Sequence, residues 1–333
     1  MVEEVWQLLE QGTGEASSGY LMRRILTGVQ YDVFLAIEKP SGLRLMMIRV
    51  HRRLVEKGTT YPASSSFEVR RVLLDQEDKD HVTLQLILTN VRYSDIFTTL
   101  VQDIVNHIGT ITQEEKAVAA FLTRLKRWQI FLERHSEGLG ETAQQGLYGE
   151  LWFLRQTVLP QLGILRGVLS WSGPGATQQD FQFSGCAVEI KTTTSKQHQK
   201  LAIASERQLD NTGIGALILL HLSLDARQGG GEALPAIIAS VKSRLEDSST
   251  AREEFENRLF EVGYLDNHAS RYGHTGYTIR EVNYFRVEGD FPRIVEADLR
   301  NGIGDVRYTI SVAECKRFSM LEADVLLLIG GQK

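Results

Sequence analysis

The stretch "DFQFSGCAVEIKTTT", residues 180 to 194, limits the fold more than any other part of the chain. Apolar and polar residues alternate on both sides of a Ser-Gly pair, which is the pattern of two short strands joined by a tight turn. Turning at Ser184 and Gly185 pairs Phe183 with Cys186, Gln182 with Ala187, Phe181 with Val188 and Asp180 with Glu189. Phe181, Phe183, Val188 and Ile190 then share the buried face, and a slip of one residue would bury charge instead, so the register is fixed. The same register sets two carboxylates against each other. Opposed Cβ atoms in an antiparallel pair lie about 4.5 to 5.5 Å apart, where like charges are destabilising.

A cation between Asp180 and Glu189 resolves that conflict. Mg²⁺ takes one or two carboxylates together with water and phosphate oxygens, and two acids on adjacent strands supply them. Lys191 shares their face, where its ammonium can orient a water or stabilise charge developing on phosphorus. A solvated hairpin with a salt-bridged lysine is the other reading of the same residues. Glu-x-Lys alone carries little, since it recurs at 77, 114, 189 and 314. Even the longer spacing recurs, in Asp305, Glu314 and Lys316. That copy lacks a turn signal, and it reads as one continuous surface strand that holds its acids about 30 Å apart.

A third acid belongs with the first two. In "GLYGELWFLRQTVL", Leu147, Leu151, Leu154 and Val158 make one helical face and Glu150 edges it. A carboxylate there needs a partner, which Arg155, a metal or a metal-bound water could provide. Gly146 and Gly149 each cost the helix about 1 kcal/mol relative to Ala, which points to close approach of another backbone or a ligand.

With 333 residues the chain exceeds the usual single domain. Strand texture fills Tyr31 to Asn90 in "YDVFLAIE", "LRLMMIRV", "FEVRRVLL" and "HVTLQLIL", and helical spacing follows at Ile96, Leu100, Ile104 and Ile108. This predicts a β-rich α+β domain over residues 1–112. A capping box at Thr112 and Glu115 opens a long linking helix with apolar residues at 118, 121, 122, 125 and 128. A helix from about Glu141 to Leu159, the hairpin and an apolar strand at 216–224 then give a core over 113–235, with a mixed sheet flanked by helices. Residues 236–333 read as an accessory region of helices and strands. The fold class is α/β, α+β overall.

At this point the residues resemble a known family. "GLYGE" on a helix, then an acid, a hairpin and Glu-x-Lys are similar to the active site of the PD-(D/E)XK nuclease superfamily, whose core is restriction-endonuclease-like. The resemblance implies Glu150 as the helix acid, Asp180 and Glu189 as the main metal ligands, Lys191 as the catalytic lysine, and Mg²⁺ as cofactor with Mn²⁺ as substitute. The motif's proline is absent: Gln179 precedes Asp180, and Pro174 lies further upstream. "ASERQLD" is similar to a superfamily helix that brings a glutamine to the site, which makes Gln208 a candidate; a helix-start residue behind a Ser205 cap is its structural alternative. "FPRI" at 291–294 and "GIGDVRYTIS" at 302–311 also resemble an uncharacterised bacterial family of this superfamily, often encoded beside restriction or phage-defence genes.

The resemblance implies DNA as substrate and an Mg²⁺-dependent endonuclease; a nuclease-fold DNA-binding or scaffold subunit that works only with a helicase or ATPase is the alternative. Net charge is −5, which excludes a histone-like protein but leaves room for a basic groove. Lys191, Lys196, His198 and Lys200 form an acid-free stretch, and "RVHRRLVEKG" and "RLKRW" could extend a phosphate path. His221, inside an apolar strand, reads as packed. A glycosidase would also use paired carboxylates, but the lysine on their face disfavours it. Cys186 and Cys315 suit neither a zinc site nor a disulfide framework, no apolar run approaches a membrane span, and the acidic start "MVEEVWQLLEQG" is unlike a signal peptide, so the expected location is cytoplasmic.

Overall fold

The computed structural model describes residues 2–11, 18–56, 58–64, 66–74, 80–135, 138–173 and 179–331. Its contacts separate two compact units, Met1–Ser136 and Glu137–Lys333.

In the first unit α1 (Val2–Gln11) precedes β1 (Gly19–Arg24), β2 (Asp32–Lys39), β3 (Arg44–His51), β4 (Phe67–Val72) and β5 (His81–Leu88). The strands form an antiparallel sheet in the order β1-β2-β3-β5-β4. Four of them are the predicted apolar runs; β1, mostly exposed and polar, carries no such signal. α2 (Ser94–Ile108) buries Ile96, Leu100, Ile104 and Ile108 at the expected spacing. α3 (Glu114–His135) buries Val118, Phe121, Leu125 and Trp128. It starts at Glu114, past the predicted Thr112 cap; the first intrahelical bond is Ala117 N to Gln113 O at 3.0 Å, and the Thr112 carbonyl accepts from Gln30 N at 3.3 Å. Arg124 of α3 clamps Asp103 of α2 at 2.5 and 2.6 Å, so the two helices meet across a bidentate ion pair.

The second unit opens with α4 (Glu141–Phe153), which runs through a π-helical turn at Leu154–Val158 into α5 (Leu159–Leu162) and is followed by α6 (Ile164–Ser170). Then come β6 (Phe181–Gln182), β7 (Cys186–Thr193), β8 (Lys200–Ile203), β9 (Ala216–Gln228), β10 (Glu232–Ala233), α7 (Leu234–Arg244), α8 (Ser249–Val262) and α9 (Ala269–Tyr272). β11 (Thr275–Arg286), β12 (Tyr308–Ser311), α10 (Val312–Cys315), β13 (Ser319–Met320) and α11 (Glu322–Gly330) complete it. The main sheet runs β10-β11-β9-β7-β6, with β13 beside β11. β7 and β9 are parallel and the other pairs antiparallel, so the sheet is mixed.

Apolar runs on β7 and β9 bury both faces of this sheet, as expected of strands covered on two sides. Val188, Ile190, Ile218, Leu220 and Leu222 face a cluster built from α4, α6, α7 and α8. Ala187, Leu217 and Leu219 face a smaller one built from the antiparallel pair β8 and β12, together with Leu209, Phe285 and Cys315. The protein is thus α+β, a mixed sheet flanked by helices with an antiparallel N-terminal sheet, as the sequence predicts.

Two further local expectations fail. Residues 305–316 are not one strand: Asp305 sits in a loop at φ +55°, only Tyr308–Ser311 pair, and Glu314 lies in α10. "ASERQLD" is not a helix either. Residues 206–209 form turns with i to i+3 bonds, Gln208 N to Ser205 O at 3.1 Å and Asp210 N to Arg207 O at 3.2 Å. No described helix is long and apolar enough to cross a membrane.

Candidate active site

The hairpin has the predicted register, with Phe181 opposite Val188 and Gln182 opposite Ala187, and Phe183 N donates to Cys186 O at 2.8 Å. The ladder stops there. Asp180 does not form the predicted backbone pair with Glu189; its Oδ2 accepts the Ile190 N–H at 2.7 Å. β6 is two residues long, so the edge of β7 beyond it needs another acceptor, and the Asp180 carboxylate is that acceptor. On its far side the segment is held by a bridge between Trp171 and Phe181 and by Ser172 N donating to Asp180 O at 2.8 Å.

Glu150 reaches the same place from α4, which lies directly on β7: a Cβ at Gly149 would come within 2.5 Å of Thr192 Cγ2. The close approach expected of the two glycines is therefore real at Gly149, while at Gly146 a Cβ would meet nothing within 4 Å. Arg155 is not the partner of Glu150. It forms a bidentate pair with Glu232 at 2.5 and 2.8 Å, and Glu150 Oε2 accepts from Trp171 Nε1 at 2.8 Å.

Glu189 is fully buried, and Lys191 Nζ donates to its Oε1 at 2.6 Å and to Gln208 Oε1 at 3.1 Å. Gln208 is thus brought to the lysine by a turn instead of a helix. Gln179, the residue in the proline's place, lies against that turn. Its Nε2 points at the carbonyls of Arg207, Gln208 and Asp210, at 3.1, 3.5 and 3.5 Å, taking up acceptors that a helix would use internally. The next turn of chain is fixed by Glu206, whose Oε2 accepts from Val306 N at 2.8 Å. Sequence reasoning missed Trp171 and Gln179; a tryptophan or glutamine next to a loop carries no periodic signal.

The three acids feel one another. Burial, then Asp180 and Glu189, raise the Glu150 carboxyl well above its ordinary range, against the Trp171 hydrogen bond and Lys191. Burial raises Asp180 as well, opposed by Lys191 and the Ile190 N–H. Glu189 is pushed up to about 8 by burial and Asp180, with Lys191 pulling the other way. Burial works against the Lys191 ammonium, yet Glu189 and Asp180 outweigh it and hold its pKa above the usual lysine value. One ammonium faces three carboxyls, of which Glu189 is fully buried and Glu150 and Asp180 are half-buried.

A divalent cation fits this deficit. One oxygen of each acid is held by a fixed donor, Ile190 N–H, Trp171 Nε1–H or Lys191 Nζ, so the other is what each can offer. Glu189 Oε2 is buried without a well-formed hydrogen bond among the described residues; the Asp180 main chain, which lowers the acid's pKa, is too poorly placed to satisfy it fully, a costly arrangement unless something else does. Among the described residues no group of three His, Cys, Asp or Glu side chains is arranged so as to hold a metal ion by itself.

Lys196, His198 and Lys200 are exposed beyond β7. His221 is fully buried, as expected of a packed histidine, with Nε2 2.9 Å from Thr193 Oγ1. Pro174 lies outside the described residues. A family model described as "Putative PD-(D/E)XK family member, (DUF4420)" matches residues 2–313. No curated protein and no solved structure matches the chain.

Proposed function

The chain belongs to the DUF4420 family of PD-(D/E)XK proteins, and from that membership we propose that it is a metal-dependent phosphodiesterase, a cytoplasmic DNA endonuclease of bacterial restriction or phage defence. The observation that carries this reading is the incompletely satisfied Oε2 of Glu189, buried beside two further acids and one lysine. Asp180 and Glu189, helped by Glu150, would hold Mg²⁺ or Mn²⁺. When bound, such an ion polarises a phosphoryl oxygen and lowers the pKa of a neighbouring water.

The chain's own groups do the rest. Lys191, held by Glu189 and Gln208, presents a fixed ammonium to the charge that develops on phosphorus and positions the nucleophile. Gln208 Oε1 accepts a second hydrogen bond from the lysine, and Gln179 Nε2 donates to the carbonyls of the turn that bears Gln208.

Cleavage of supercoiled, linear and single-stranded DNA with Mg²⁺ or Mn²⁺, with EDTA as control, tests the proposal. Metal-dependent nicking that falls at least about 100-fold in Lys191→Ala and Asp180→Ala supports it. No cleavage by wild type, but metal binding that Asp180→Ala removes, assigns the chain instead to a subunit that works with a helicase or ATPase. Absence of both cleavage and metal binding overturns the enzyme and favours the scaffold.

A further inference from the structure

Trp171 touches the site from outside every motif. Its side chain is fully buried, its ring centroid lies 5.7 Å from that of Phe255, and its indole N–H points at Glu150 Oε2. A buried indole N–H needs an acceptor, and a backbone carbonyl would serve without placing a second acid under burial. The backbone of the same segment is tied to the hairpin, through the Trp171–Phe181 bridge and the Ser172 N–H on the Asp180 carbonyl. One short segment therefore grips the helix acid by a side chain and the hairpin acid by its main chain. A glutamate has three side-chain torsions and, on the margin of a helix, several allowed rotamers; this hydrogen bond selects one.

Resting on the nuclease reading above, we infer that Trp171 is a positioning residue for the divalent-ion site: its N–H fixes the Glu150 carboxylate in register with Asp180. Groups that orient a metal ligand change affinity by about 10- to 100-fold when removed. Trp171→Phe keeps an aromatic ring against Phe255, deletes the donor and leaves the space of the lost second ring, which the comparison with Glu150→Gln controls for.

Calorimetric titration with Mn²⁺ of wild type, Trp171→Phe, Glu150→Gln and the double variant decides the matter. The expected result is a 10- to 100-fold weaker Kd in Trp171→Phe, and no further loss when Trp171→Phe is added to Glu150→Gln. Equal Kd in wild type and Trp171→Phe, or losses that multiply in the double variant, overturn the positioning role and leave the nuclease reading standing. Absence of Mn²⁺ binding by wild type overturns both. Should Trp171→Phe fail to fold, the ¹⁵N-labelled Trp171 indole resonance of wild type gives the answer during a Mg²⁺ titration: it moves if the indole holds a ligating carboxylate, and stays fixed while Mg²⁺ binds if it does not.

Discussion

Each acid of the site is held by one oxygen and strained by its neighbours, which separates function from stability at single residues. Several carboxyls near one ammonium repel one another without a cation, so removing the charge of one relieves like-charge repulsion on the others. Glu150→Gln is expected to stabilise the metal-free protein by about 1 kcal/mol, or a melting shift of about 2–4 °C, while cleavage falls. A lower melting temperature in EDTA would mean that the Glu150 charge is already compensated by Lys191. A pH effect follows from Glu189, whose folded pKa is near 8 against an ordinary 4.5. Between those values the folded state binds more protons than the unfolded one. Its contribution is complete below the ordinary pKa and is lost as pH rises through about 8, with a slope of at most about 1.4 kcal/mol per pH unit. Metal binding needs the ionised carboxylate, so the rise in melting temperature given by saturating Mg²⁺ should grow from roughly pH 6 to roughly pH 9. Thermal unfolding with Mg²⁺ and with EDTA across that range measures it, and a flat difference would refute the buried-acid account.

At the scale of elements, the placement of α4 on β7 decides whether the helix acid reaches the hairpin. Gly149→Ala brings a methyl within 2.5 Å of Thr192 Cγ2 and should cost about 1–3 kcal/mol. Thr192→Ser removes that carbon and leaves contacts of 3.4 Å or more, to Leu222 and Ile190; it should recover much of the loss, as a coupling measured by urea unfolding of the double-mutant cycle. Gly146→Ala meets nothing within 4 Å and should gain up to about 1 kcal/mol. Additive effects at 149 and 192 would sink this picture. The same elements show what a sequence can and cannot say. Alternation from Phe181 to Ile190 is a local signal, so the hairpin, its register and the Glu189–Lys191 pair were legible. The helix carrying Glu150 was legible from its apolar face. Its partner was not, because Arg155 is drawn to Glu232 and Trp171 arrives from another segment. The turn bearing Gln208 read as a helix for the same reason: the local pattern of "SERQL" does permit one, and it is Gln179, distant in sequence, that takes the carbonyls. The strand expected at 305–316 failed because an alternating pattern does not show where pairing partners end, and β8 offers only four residues.

Across the whole molecule the charge is −5, so the DNA substrate proposed above would have to be met by local basic surface and not by the net field. The second unit supplies exposed Lys196 and Lys200 next to β7. The first unit ends β3 with a short 3-10 turn, Arg52–Leu54, whose start is fixed by the Arg53 N–H on His51 Nδ1 at 3.3 Å, and both arginines are exposed. Arginines on a fixed turn suit phosphate contacts, which add affinity without sequence preference. Replacing Arg52 and Arg53 together by Gln should weaken duplex binding about equally for unrelated sequences and lower the slope of log K against log salt by roughly two, close to 0.9 per phosphate contact. Fluorescence anisotropy at several salt concentrations reads both quantities. The Mn²⁺ affinity of the same variant should stay at the wild-type value, since the acids and Lys191 belong to the other unit. An unchanged salt slope would place the DNA path on the second unit alone; a changed Mn²⁺ affinity would show that the arginines act on the metal site and not on the phosphates.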